Sequence, residues 1–145
     1  MDRRTMLARA ADILAAWNRQ DPQAIGVNMV EDVMWRDVAL GKPLQGREAL
    51  VTAARKYMIA FPDLRIQETS STLAGMRLAQ ELTVVGTHQG TLLGVEPTGR
   101  WTETYAAVIT TFDEDGMVIE GALYWSPLAM FQQLGILAGL APTTA

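Results

Sequence analysis

The chain has 145 residues, is 49% hydrophobic and 19% charged, and carries a net charge of -4. That length supports one domain, residues 1–145, with a sizeable core. Its lysines and arginines are scattered, with no basic stripe to track a phosphate backbone, so nucleic acid is not an expected partner. With no cysteine and a single histidine, His88, thiolate nucleophiles, disulfides and multi-histidine metal sites are excluded, and a reducing cytoplasmic setting is expected.

The opening "MDRRTMLARAADILAAW" places basic residues before an apolar run, but Arg9 and Asp12 interrupt that run. No small-residue cleavage site follows a true apolar block, so the segment reads as a helix and not as a signal peptide. Met6, Ala10, Ile13, Leu14 and Trp17 recur at helical spacing and predict a helix over 5–19 with one buried face. No stretch is apolar for long enough to span a membrane. Asp21-Pro22 supplies a cap and a proline at the first helical position, which predicts a short helix over 22–29. "VMWRDV" reads as a strand with Val33, Trp35 and Asp37 on one face and Arg36 on the other. "LGKPLQG" reads as a loop. Ala49, Leu50, Ala53, Ala54, Tyr57, Met58 and Phe61 then mark a third amphipathic helix that stops before Pro62.

The second half changes character. "LRIQETSSTL", "LAQELTVVGTHQG", "GRWTETYAAVITTF" and "MVIEGALYWS" are strand-like and are separated by Gly75-Met76, Pro97-Thr98-Gly99 and Asp113-Glu114-Asp115-Gly116. These are turn chemistries, and short links between successive strands predict antiparallel hairpins. Helices followed by an antiparallel sheet make an α+β domain. A curved sheet with helices on its concave side would enclose an apolar pocket suited to a small molecule. Leu128, Phe131 and Gln132 predict a last helix, after which "ILAGLAPTTA" starts apolar and runs into small residues.

Few side chains in this pattern can do chemistry. Asp37 alternates with Trp35 and Val33, and a carboxylate on an apolar strand face can serve as a general base. His88, in "VVGTHQG", could take a proton near neutral pH or could be a hydrogen-bonded loop residue. Ser126 with Pro127 after it is fully accounted for as a helix cap, and no base stands beside it in sequence. Glu103 with Tyr105, and Glu120 with Tyr124, alternate on two strands and could line a cavity or face solvent or another subunit. Trp17, Trp35, Tyr57, Trp101 and Trp125 read as core or pocket wall. No phosphate loop, nucleotide fingerprint or metal-ligand cluster occurs.

"WNRQDPQAI", "EDVMWRD", "LQGREAL", "AFPDLRI", "GTHQGTLLGVEPTGR", "DEDGMVIEGALYW" and "QQLG" occur in this order between Trp17 and Gly135, and from about Asp21 onward they form one continuous likeness. In this the chain resembles the SnoaL-like polyketide cyclases, part of the NTF2-like, ketosteroid-isomerase-like superfamily. The resemblance implies a cone of curved antiparallel sheet with helices around an apolar cavity. It also implies an aromatic polyketide substrate of anthracycline type, no cofactor and no metal. The family's cyclases use an aspartate before the final helix as acid/base, and the matching position here is Ser126. Histidines near that aspartate also lack counterparts. Serine keeps the cap and removes the carboxylate, so the resemblance shifts to the branch assigned to polyketide hydroxylation. There an electron-rich substrate can react with dioxygen itself, and a separate quinone reductase can be needed.

The expected function is therefore cofactor-independent hydroxylation of an aromatic polyketide. The alternatives are aldol ring closure with Asp37 or His88 as base, and a non-catalytic small-molecule binder. Asp37 and His88 are the candidate catalytic groups, and Trp35, Tyr57, Tyr105 and Tyr124 the candidate substrate contacts. A homodimer is expected through the sheet face away from the cavity, carrying Trp101 or Trp125.

Overall fold

A computed structural model describes residues 2–137; residues 138–145 of the terminal apolar stretch lie outside the described residues. Asp2 caps the first helix, α1 (Arg3–Asn18), by accepting the Thr5 amide, and Asp21 caps α2 (Pro22–Gly26) through the Ala24 amide. The strand predicted around Trp35 is β1 (Met29–Asp37). The segment expected to be a loop contains a short strand, β2 (Pro43–Gln45), which pairs antiparallel with β1. Three residues between turn signals give too little alternation to be read as a strand. Helix α3 (Arg47–Ala60) follows, with Gly46 at its N-cap in the left-handed region at φ 94°.

The strands β3 (Arg65–Ala74), β4 (Arg77–Thr87), β5 (Trp101–Phe112) and β6 (Val118–Trp125) form the antiparallel hairpins that the turn signals predict. The six strands lie in the order β2-β1-β6-β5-β4-β3. Strand β1 pairs with β6 in parallel, so both strands run out at the same end of the sheet. The last helix, α4 (Pro127–Leu134), starts directly after β6, with Ser126 as its N-cap and Gly135 as its left-handed C-cap.

Two side-chain amides fasten helices to free strand backbone. Asn18, at the end of α1, donates to the Ile66 carbonyl at 3.0 Å and accepts the Ile66 amide at 2.7 Å. Gln133 of α4 accepts the Glu103 amide at 2.7 Å and donates to the Glu103 carbonyl at 2.8 Å, on the stretch of β5 beyond the end of β6. Each amide takes the part of a neighbouring strand and satisfies backbone groups that would otherwise be left open.

One core cluster joins Met6 and Ala10 of α1 to Ile25, Met29, Val33, Leu50, Leu78, Phe112 and Val118. A second joins Phe61, Leu64 and Leu92 to Met130 and Leu134 of α4. Helices α1 and α3 also line the space between these clusters and the sheet. Among the described residues, no helix is long and apolar enough to cross a membrane.

Candidate active site

Between the sheet and the helices lies a cavity of about 270 Å3. Its walls are almost wholly apolar: Ile13, Leu14 and Trp17 of α1, Ala54 and Tyr57 of α3, and Leu82, Val84, Val108 and Leu123 of the sheet. Gln80, Thr102, Thr104 and Thr110 add polar atoms on β4 and β5, and the charged residues of the lining are Asp37 and Lys42.

Asp37 is the last residue of β1 and is buried at 8% exposure. The Trp125 indole N–H donates to its Oδ1 at 2.9 Å, and the Tyr57 hydroxyl donates to its Oδ2 at 3.5 Å. The two aromatic rings meet edge to face, 6.5 Å between centroids and 81° between planes. Burial, reinforced by the negative charge and hydrogen bond of Asp37, raises the Tyr57 hydroxyl well above its ordinary 10.0. Tyr57 therefore remains a protonated donor to the carboxylate throughout the neutral range.

The parallel pairing of β1 and β6 assembles this trio. Asp37 lies opposite Leu123, and the pairing continues one residue further through the Val38 amide, which donates to the Leu123 carbonyl at 2.9 Å. Leu123 and Trp125 share the concave face by alternation, so Trp125 reaches over to Asp37. Trp35 lies opposite Gly121 in the same ladder, and a Cβ on Gly121 would run into the Trp35 indole. Glycine within this strand lets the indole lie flat on the sheet as cavity wall.

The other predicted site residues are placed differently. His88 is wholly buried, beyond the end of β4 and off the cavity lining. Its Nδ1 accepts the Thr98 amide at 3.2 Å and lies 3.1 Å from the Thr98 hydroxyl, and its ring packs on Phe61 with centroids 5.6 Å apart. The Thr98 amide requires a lone pair on Nδ1, so the ring proton sits on Nε2, which has no partner among the described residues. His88 thus secures the segment between β4 and β5, which the His88 amide to Arg100 carbonyl bond and the Gly99 amide to His88 carbonyl bond also hold, both at 2.9 Å. Its place is structural.

Tyr105 and Tyr124 were expected as substrate contacts and lie instead on the outer face of the sheet, 67% and 41% exposed. Glu103 and Glu120 share that face, and the Tyr105 hydroxyl donates to Glu103 at 3.3 Å. The register explains the placement: Ala106 lies opposite Trp125, so even-numbered residues of β5 face the cavity and odd-numbered ones face outward. Trp101 and Trp125 each carry two expectations, pocket wall and outer face. Trp101, at 58% exposure, is on the outer face and not in the core or pocket wall, because odd-numbered residues of β5 point outward, whereas Trp125 is pocket wall. Ser126 is exposed and caps α4, its Oγ accepting the Ala129 amide at 3.1 Å. The hydrogen bond from Trp125 to Asp37 and the placing of the β5 threonines on the lining go beyond what the sequence reading expects. Among the described residues, no three of His, Cys, Asp and Glu converge as a metal site would require.

The family model for SnoaL-like polyketide cyclases matches residues 7–134. No curated protein is similar enough in sequence to match the chain. Among solved structures, AclR of Streptomyces galilaeus, a candidate hydroxylase, is 27% identical with a TM-score of 0.81, over 93% of this chain and 83% of its own. TsrD of Streptomyces laurentii is 21% identical with a TM-score of 0.84, over 94% of this chain and 99% of its own. IdmH of Streptomyces antibioticus, a candidate polyketide cyclase, is 22% identical with a TM-score of 0.76, over 90% of this chain and 98% of its own. The last two likenesses speak for the fold, which is that of the ketosteroid-isomerase-like and NTF2-like proteins.

Proposed function

Because the chain belongs to the SnoaL-like polyketide cyclase family, we propose that its cavity holds a fused-ring aromatic polyketide and that Asp37 takes a proton from it. The observation that carries this reading is the Asp37 carboxylate, held by Trp125 and Tyr57 at the wall of an otherwise apolar cavity. A positioned base of this kind contributes about 10²–10⁴-fold in rate. The apolar walls orient a flat, hydrophobic ring system, and the threonines of β5 offer its hydroxyls partners.

The reaction proposed is hydroxylation. A reduced, hydroquinone-type substrate loses a proton to Asp37, and the resulting anion adds dioxygen at a ring carbon as a hydroperoxide. The O–O bond then breaks with loss of water, two electrons coming from the hydroquinone, which ends as quinone, and two from the C–H bond. One oxygen atom remains on the ring as hydroxyl and the other leaves as water. A separate reductase would supply the hydroquinone from the quinone. Two observations support this over ring closure: AclR, at 27% identity, is described as a candidate hydroxylase, and Ser126, at the cyclase acid/base position, is a cap with no carboxylate. Ring closure is the second reading. It is favoured by the family's own description and by Asp37, which brings a carboxylate to the same end of the sheet. Product mass after turnover under isotopically labelled dioxygen separates the two. Label in the product supports hydroxylation, and ring closure without oxygen uptake establishes the cyclase.

A further inference from the structure

The second charged group of the lining, Lys42, has no part in the proton transfer described above. It is exposed and forms no ion pair among the described residues, where the single ion pair is Arg19 with Asp21. It stands at the end of the turn that follows Asp37. That turn is tied back to the catalytic residue itself: the Leu40 and Gly41 amides both donate to the Asp37 carbonyl, at 3.1 and 3.0 Å, with Gly41 in the left-handed region at φ 77°. Main-chain bonds therefore keep the two residues before Lys42 folded back onto Asp37. Leu40, also on the lining and exposed, adds an apolar surface beside it.

An ionised group cannot be left in the apolar interior of this cavity without a partner, because transfer of an unpaired charge out of water is strongly unfavourable. Asp37 adds negative charge and opposes any second anion close to it. A negatively charged substituent is therefore restricted to the mouth. Lys42, exposed on the lining, is the positive charge available there. Resting on the fused-ring reading of the cavity, we infer that Lys42 is a specificity residue that selects a substrate bearing a carboxylate, with the rings inside and the carboxylate at the mouth. Lysine suits such a role, since its flexible stem can follow the substituent while the ammonium stays in water.

The test uses the intact protein and direct binding, read by quenching of the cavity tryptophans Trp17, Trp35 and Trp125. The probes are an anthraquinone carboxylate and its methyl ester. The native protein is expected to prefer the acid by about 2- to 5-fold, the range of an exposed charge pair. Lys42→Gln should remove that preference and leave ester affinity unchanged, Lys42→Arg should keep it, and added salt should weaken the acid alone. Equal affinity for acid and ester in the native protein, or an equal loss of both in Lys42→Gln, overturns the role of Lys42 while leaving the ring-binding cavity in place. Absence of binding by either probe overturns the fused-ring reading and this inference with it.

Discussion

Replacing Asp37 with asparagine separates proton transfer from packing. The side chain keeps its shape, the amide oxygen can still accept the Trp125 N–H now at 2.9 Å, and the Tyr57 hydroxyl can rotate to accept from the amide nitrogen. Stability is therefore expected to change by less than about 1 kcal/mol, the scale of one ordinary hydrogen bond. Asp37→Ala differs: it strands the indole N–H and the Tyr57 hydroxyl, and should cost about 1–3 kcal/mol for a buried donor left without its acceptor. In contrast, both variants lose the base. Turnover should fall by about 10²–10⁴-fold in each, or about 3–5 kcal/mol of barrier at 1.36 kcal/mol per decade. The assay is single-turnover conversion of a fused-ring hydroquinone under air, alongside tryptophan quenching for binding and urea unfolding for stability. Asp37→Asn turning over within tenfold of the native protein, with binding intact, would refute Asp37 as the base. Large destabilisation by asparagine would show instead that the carboxylate is there to hold the fold.

Further outcomes follow from neighbouring contacts. Tyr57 binds its proton more tightly folded than unfolded, so stability that is complete below pH about 10.0 should decline above it; Tyr57→Phe should flatten that decline in urea titrations across the alkaline range. Gly121→Ala should force the Trp35 indole off the sheet, costing about 1–3 kcal/mol as overpacking does and weakening ring binding measured by quenching. Ser126→Ala should cost about 0.5–2 kcal/mol through the lost cap and leave turnover per folded molecule unchanged; a hundredfold loss would make Ser126 catalytic. Trp101 and Tyr105 lie exposed on the outer sheet face, and we expect a twofold dimer there, so Trp101→Asp should shift light scattering from dimer to monomer mass.

Much of this site could be read from alternation, and the failures have a physical pattern. On β1 the code was clear because Val33, Trp35 and Asp37 stand apart from the charged Arg36, and Asp37 was placed correctly on the apolar face. On β5 the code is inverted. Thr102, Thr104 and Thr110 face the cavity, whereas Trp101 and Tyr105 face outward. A strand that turns threonines toward an otherwise apolar cavity and exposes aromatic rings outside cannot be oriented by hydrophobicity alone. His88 was ambiguous for another reason: nothing in "VVGTHQG" announces the Thr98 amide ten residues later that takes its lone pair. The helices of the first half were legible because each buries one stripe, although α2 ends at Gly26 and not at 29.

The parallel pair was the feature least visible in the chain, and it bears most directly on the reaction. Strands β1 and β6 are separated by more than half the sequence, and no local signal says that they lie side by side. Parallel strands finish at the same end of a sheet. The end of β1 thus comes to lie beside the end of β6, and of Asp37 and Ser126 only Asp37 is on the cavity lining. In a cyclase of this family the aspartate is expected after the last strand, at the position of Ser126. Here the carboxylate comes from the end of β1 and is fastened by Trp125, the last residue of β6. Ser126 is then free to be only a cap. Loss of the family's aspartate from sequence need not mean loss of a base from the cavity, because the end of β1 brings Asp37 to the lining beside Trp125. If Ser126→Asp were combined with Asp37→Asn, the carboxylate would return to the other strand end with the cap preserved. Recovery of turnover in that double variant would show that the two ends are interchangeable. Continued inactivity would show that Trp125 and Tyr57 orient a base only when it comes from β1.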